Sequence, residues 1–243
     1  MQFVVTTFYK IFSLSLADAE MLREKIRSYM QDLNIKGTIL LGANEGINAT
    51  ISGPRDAINQ FYQFVNGVNI IADIEFKESF CDFIPFEKIK VKIKKEIVTL
   101  KSDKDFDFTG TKGKYIAPDN WDEFIARDDV IVIDSRNDYE YHVGTFNNAI
   151  NPNIENFRDI AAWLEQNKEL YKDKKIATFC TGGIRCEKLT AMMSQADKNL
   201  EVYHLQGGIL GYFMKTGNEN KKWNGHCFVF DNRIAIDDKL QPI

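Results

Sequence analysis

Cysteine is scarce in this chain. Four residues, Cys81, Cys180, Cys186 and Cys227, among 243 are too few for a dense disulfide framework. Histidine is scarcer still, and His142, His204 and His226 show neither His-x-Asp nor His-x-x-x-His spacing. An iron site of two histidines and a carboxylate is therefore not expected, and no metal site is assigned. No apolar run approaches the length that crosses a bilayer, so no membrane contact is expected. The opening MQFVVTTFYK has neither a basic n-region nor a cleavage-site pattern, which makes the cytoplasm the expected compartment. Positive charge is not in excess: the net charge is −4, so nucleic-acid binding would need a local basic surface rather than global attraction. There is no P-loop or dinucleotide fingerprint, since Gly207-Gly208 fits neither, and no internal repeat or low-complexity tract. What is present, 44% hydrophobic and 27% charged residues, is the composition of a globular chain with one large or two small domains.

Two α/β units follow from the periodicity. In residues 1–100, Val4, Thr6 and Phe8 alternate as in a strand. Ser15 caps an expected helix over about 17–33, with Leu22, Ile26, Tyr29, Met30 and Leu33 at helical spacing. Residues 38–41 and 47–51 read as strands joined by a hairpin from Gly42 to Gly46. A second helix starts after Ser52-Gly53-Pro54 with Ile58, Phe61, Tyr62 and Val65 on one face. The last strand is expected near Lys88 to Ile97. The order βαββαβ predicts a ferredoxin-like, acylphosphatase-like sandwich. Residues 101–116 read as a charged linker.

Residues 117–215 form the second unit. A short helix holds Trp121, Phe124 and Ile125, and Val130–Ile133 is a continuous apolar run suited to a buried parallel strand. A helix is expected near 156–167, strands at 176–179 and 202–205, and a short helix after Gly207-Gly208. This alternation predicts a parallel sheet with helices on both faces. Residues 216–243 are expected to pack on the domains as a tail.

The chemistry concentrates at Cys180-Thr181-Gly182-Gly183-Ile184-Arg185. A strand delivers the cysteine into a tight glycine loop that feeds a helix N-terminus. Backbone N–H groups converge there, the helix dipole adds partial positive charge and Arg185 a full one. A sulfur at that focus ionises more easily than a free thiol and becomes a nucleophile. Arg185 either stabilises the sulfur anion or an RNA phosphate, or caps loop carbonyls. Cys186 could resolve a sulfenic acid or persulfide on Cys180, but as a first-turn helix residue it is expected to point away from the focus. Asp134 and Arg136, just past a buried strand, read as an ion pair supporting the loop, and Tyr139 and Glu140 as structural. Lys88, Lys90, Lys92 and Lys94 alternate with Ile89, Val91 and Ile93, placing four ammonium groups on one strand face. They either protect an edge strand from aggregation or contact an RNA backbone. Glu45 and Asn48 are adequately explained by the hairpin.

Four residues separate Cys180 from Arg185, one fewer than in the phosphate-binding loop of cysteine phosphatases. The tighter ring resembles the rhodanese loop, whose cysteine carries a persulfide. Asp134-Ser-Arg-Asn-Asp-Tyr-Glu140, with Gly144 and Ala149-Ile-Asn151, resembles the rhodanese D-x-R-x-x-x-E-x-x-x-G segment and its A-x-N. Tyr203-His-Leu-Gln-Gly-Gly-Ile209 resembles the final rhodanese strand and turn. More closely, Cys180-Thr-Gly-Gly-Ile-Arg-Cys-Glu-Lys188, Gly42-Ala-Asn-Glu-Gly-Ile-Asn48, Lys90–Val98 and Trp223-Asn-Gly-His-Cys-Phe-Val-Phe-Asp231 together resemble the bacterial tRNA uridine hydroxylase family.

That resemblance implies oxygen-dependent 5-hydroxylation of the wobble uridine of tRNA, with Cys180 as the active cysteine. It implies molecular oxygen as co-substrate, an electron source the sequence does not reveal, no evident cofactor, and an anticodon stem-loop as partner. Longer family members carry a cysteine-rich extension, and its roles are not carried over to this sequence. The expected chemistry is addition of the Cys180 sulfur to uracil C6, leaving an enolate at C5 that reacts with oxygen. A competing version gives Cys180 a persulfide or sulfenic acid. The alternative function is rhodanese-type sulfur transfer to a thiol or tRNA acceptor.

Overall fold

A computed structural model describes residues 2–100, 107, 110, 112–217 and 222–243. Much of the expected linker, including 101–106, and residues 218–221 of the expected tail lie outside the described residues. The chain divides into two compact units.

The first unit comprises Met1–Val98 with Phe230–Ile234 and Leu240–Pro242. Its elements are β1 (Phe3–Lys10), α1 (Leu16–Asp32), β2 (Lys36–Gly42), β3 (Gly46–Pro54), α2 (Arg55–Asn66), β4 (Lys77–Cys81) and β5 (Ile89–Lys94). The Ser15 hydroxyl accepts from the Asp18 amide at 3.1 Å and so starts α1. Ala19, Leu22, Ile26 and Met30 form its buried stripe. Ala57, Ile58, Phe61 and Val65 do the same for α2. Both helices pack on a sheet of order β4-β1-β3-β2-β5.

The sandwich is as expected, but its fourth strand is not the lysine strand. That place belongs to β4, antiparallel to β1. Its inward positions are Lys77, Ser79 and Cys81, all buried, so no apolar alternation marks it. Lys77 lies 5.2 Å above the Tyr9 ring. The Ser79 hydroxyl donates to the Val5 carbonyl and accepts from Arg233, whose guanidinium is paired with Asp231 at 2.7 Å. The lysine strand is instead a fifth strand, parallel to β2 at the sheet edge. Ile89, Val91 and Ile93 pack on the core, and Lys88, Lys90, Lys92 and Lys94 are exposed. Glu45 and Asn48 have backbone work: the Ile97 amide donates to Glu45 Oε2 at 2.7 Å, and Asn48 Nδ2 donates to the Ile97 carbonyl at 3.0 Å.

The second unit comprises Thr99–Val229, Ala235–Lys239 and Ile243. It contains β6 (Lys114–Ile116), α3 (Pro118–Ile125), β7 (Val130–Asp134), α4 (Asp138–Val143), β8 (Gly144–Phe146), β9 (Ala149–Ile150), α5 (Ile160–Gln166), β10 (Lys175–Phe179), α6 (Ile184–Ala196), β11 (Val202–Leu205), α7 (Gly208–Thr216), β12 (Trp223–Gly225), β13 (Cys227–Phe228) and β14 (Ala235–Ile236). The sheet β6-β11-β10-β7-β9 is parallel throughout. The expected helix at 156–167 is split into a 3-10 turn, Phe157–Asp159, and the shorter α5. Phe146, Phe179, Trp223, Tyr212 and Trp121 form an edge-to-face aromatic cluster beneath the carboxyl end of β10.

Candidate active site

Cys180 directly follows the central strand β10, where open α/β sheets place ligands. Thr181, Gly182 and Gly183 turn the chain into α6, with Gly183 at φ +105°, a conformation that favours glycine. The Gly183 amide donates to Cys180 Sγ at 3.1 Å. The sulfur is 1% exposed. Burial alone raises its pKa. The Cys186 thiol, the Arg185 charge and the amides of Cys186 and Gly183 outweigh burial and bring it down to about 6.

Cys186 departs from expectation. It does not point away from the focus: its sulfur lies 3.4 Å from Ser135 Oγ, on the turn joined to Phe179, and it acts on the Cys180 thiol as a neighbour. Burial and the neighbouring Cys180 anion push the Cys186 thiol well above its ordinary value. Cys186 thus stays a thiol and faces the Cys180 loop. The reason is helical geometry: α6 begins at Ile184, so its third residue faces back over the loop that feeds it.

Arg185 lends its charge to the Cys180 sulfur while its side chain is held by a carboxylate. Nη1 and Nη2 donate to the two oxygens of Glu140 at 2.6 and 2.8 Å, and Nη2 also reaches Thr181 Oγ1 at 3.1 Å. Glu140 in turn accepts from the Asn137 amide at 3.1 Å and from Thr181 at 3.3 Å. Burial would raise the Glu140 carboxyl, but Arg185, with Arg136 behind it, holds it below the ordinary carboxylate range. Arg185, likewise opposed by burial, is held more firmly protonated by Glu140 and Cys180. Its charge therefore serves the Cys180 sulfur from a position fixed by α4, a helix too short to leave a periodic signal.

The loop carbonyls are capped by α7 instead. The Ile209 amide donates to the Cys180 carbonyl at 2.9 Å and the Leu210 amide to the Thr181 carbonyl at 3.0 Å. Gly208, at φ +64°, lies so close that an added Cβ would meet those two carbonyls at 2.5 and 2.7 Å. The Gly207-Gly208 doublet in the sequence was the available signal, and its partner was not legible without the fold.

Asp134 and Arg136 form a wholly buried pair, with Nε and Nη2 donating to the carboxylate at 2.9 and 2.7 Å. Arg136 Nη2 also reaches the Gly144 carbonyl, and its guanidinium lies over the Phe179 and Trp223 rings. Between them, Ser135 donates its amide and hydroxyl to the Phe179 carbonyl at 3.1 and 2.7 Å, joining this turn to the residue before Cys180. Cys227, on β13, is buried and free, its thiol pushed up to about 12 by burial despite nearby Arg136. Cys81 is also buried and free, in the first unit. The four lysines of β5 belong to the first unit and Cys180 to the second. Glu187 accepts from Tyr115 at 2.5 Å and pairs with Lys112 at 3.1 Å, anchoring α6 to the start of β6. Among the described residues, no three His, Cys, Asp or Glu side chains gather as metal ligands, and no helix is long and apolar enough to cross a membrane.

Residues 3–97 match the UPF0176 acylphosphatase like domain and residues 117–215 the Rhodanese-like domain. The tRNA uridine(34) hydroxylase of Wolbachia pipientis subsp. Culex pipiens (strain wPip) is 49% identical over 243 residues, which cover 100% of this chain and 84% of that protein. The protein of the same name from Legionella pneumophila (strain Paris) is 46% identical over 99% of this chain and 92% of its own length. That from Rickettsia rickettsii (strain Sheila Smith) is 51% identical over 86% of this chain and 83% of its own length. The chain belongs to the tRNA uridine(34) hydroxylase family.

Proposed function

We propose that this protein hydroxylates C5 of the wobble uridine, position 34, of tRNA, with molecular oxygen as co-substrate and Cys180 as the nucleophile. The observation that carries the reading is the Cys180 sulfur held as an anion by the Gly183 amide, the Cys186 thiol and the Arg185 charge, within a chain nearly half identical to proteins of that name. Uracil C5 is electron-rich and accepts no nucleophile, whereas C6 does. Addition of the sulfur to C6 moves an electron pair onto C5 and O4, and the resulting enolate carbon attacks oxygen. The C5 hydroperoxide so formed takes two electrons and two protons from a reductant, which leaves a hydroxyl on C5 and releases water; loss of the C5 proton then expels the sulfur and restores the ring as 5-hydroxyuridine. Bases of an anticodon loop can leave their stack and reach such a sulfur, which makes the anticodon stem-loop the bound element. The lysine face of β5 supplies sequence-independent contact to the RNA backbone. A tRNA substrate supports a cytoplasmic location. Nothing in the fold or the comparisons favours sulfur transfer over hydroxylation.

The test is nucleoside analysis of tRNA from cells lacking this gene, complemented with the wild type or with Cys180→Ser. The wild type restores 5-hydroxyuridine and its derivatives, and the variant leaves them at background. Restoration by Cys180→Ser would refute the nucleophilic role.

A further inference from the structure

The hydroxylation has an electron balance that the substrate alone cannot meet. Inserting one oxygen atom of O2 into a C–H bond and releasing the other as water consumes two electrons and two protons. Among the described residues the site holds one pair able to supply the electrons, the buried neighbouring thiols of Cys180 and Cys186, with the protons completed from solvent. Five residues separate them in sequence, yet the loop and first turn of α6 make their side chains neighbours. Ser135 Oγ lies against the Cys186 sulfur at 3.4 Å and also donates to the Phe179 carbonyl, which fixes that sulfur beside the reacting one.

Building on the hydroxylase reading above, we propose that Cys186 is a catalytic residue and that the Cys180–Cys186 dithiol is the immediate two-electron donor, closing to a disulfide once per turnover. The C5 enolate adds O2 and a proton to give a C5 hydroperoxide. The Cys186 sulfur attacks the distal oxygen; the O–O bond breaks, C5 keeps a hydroxyl, and Cys186 becomes a sulfenic acid. Loss of the C5 proton expels Cys180 from C6 as a thiolate. That thiolate attacks the Cys186 sulfur, forming the S–S bond and releasing the second oxygen as water. Per cycle, one uridine, one O2 and two thiols give one 5-hydroxyuridine, one water and one disulfide. An external dithiol reductant then reopens the disulfide by exchange.

The experiment uses the full chain, reduced and freed of reductant under nitrogen, mixed with unmodified tRNA and then exposed to air. The expected result is about one 5-hydroxyuridine per chain, loss of two of the four thiols, a Cys180–Cys186 disulfide on peptide mapping, and resumed turnover on adding a dithiol. Cys81→Ser, a buried thiol of the other unit, is expected to behave as the wild type. Multiple turnovers without reductant, or 5-hydroxyuridine formed with all thiols intact, would overturn the proposal. Cys186→Ser should lose reductant-driven turnover while retaining the fold by circular dichroism; turnover at the wild-type rate would also overturn it. A parallel arm treats the free enzyme with hydrogen peroxide. Closure of the disulfide there supports the dithiol pair independently of RNA, and its failure to close counts against the pair. Absence of any 5-hydroxyuridine from the wild type, with a disulfide still closing under peroxide, would instead refute the hydroxylase reading.

Discussion

Burial opposes ionisation of the Cys180 thiol, so the donors around it must contribute more than they would in water. They bring the thiol to about 6 from an ordinary value of 9.0. The folded value lies below the unfolded one, so the stability contributed by this anion is complete above pH 9 and is lost as pH falls through about 6. Hydroxylation at limiting tRNA, which follows kcat/KM and so the free enzyme, should rise with pH through about 6 and then level. A rate that climbed only above pH 8 would contradict the anion. Glu140→Gln leaves the buried Arg185 guanidinium without its ion-pair partner, and loss of one member of a buried pair costs about 3–5 kcal/mol. Urea unfolding should register that loss, and a change below 1 kcal/mol would show that the pair is not what holds Arg185. Cys180 and Arg185 were legible in the sequence because glycine, cysteine and a basic residue coincide. Glu140 and Cys186 were not, because what each touches depends on where α4 and α6 lie.

The loop owes its shape to α7 as much as to its own glycines. Two α7 amides hold the carbonyls of Cys180 and Thr181, and Gly208 permits that approach. Gly208→Ala adds a left-handed alanine, about 1–2 kcal/mol of strain, and forces its Cβ into two backbone carbonyls. The variant is expected to fold, lose hydroxylation at least about tenfold, and show a raised Cys180 pKa. Wild-type activity would show that the loop does not depend on α7. Helices α1, α2 and α3 and the buried strands β7, β10 and β11 were readable because apolar side chains face their cores, whereas α4 was too short to leave a signal and the helix expected at 156–167 is split. Strand β4 was not, because its inward residues Lys77, Ser79 and Cys81 meet an aromatic ring, hydrogen bonds and the buried Arg233 rather than apolar neighbours. The lysine strand was visible, but its place in the sheet required knowing that β4 already occupied the fourth position.

For the whole molecule, a net charge of −4 leaves tRNA affinity to local surfaces, and β5 offers the clearest one. Replacing Lys90, Lys92 and Lys94 together by Gln should weaken tRNA binding uniformly across sequences. It should also lower the magnitude of the log–log salt slope by about 0.7–0.9 per lost phosphate contact. An unchanged slope would leave these lysines as edge protection alone. Family membership was legible because its motifs are spread along the chain in order. The chemistry of turnover was not, because it depends on which side chains meet around one sulfur. The most direct test of the account titrates that sulfur by its thiolate ultraviolet absorbance, comparing the wild type with Cys180→Ser. The account predicts a difference signal with a midpoint near pH 6 that Cys180→Ser abolishes. A wild-type thiol that ionises only near pH 9 would contradict it.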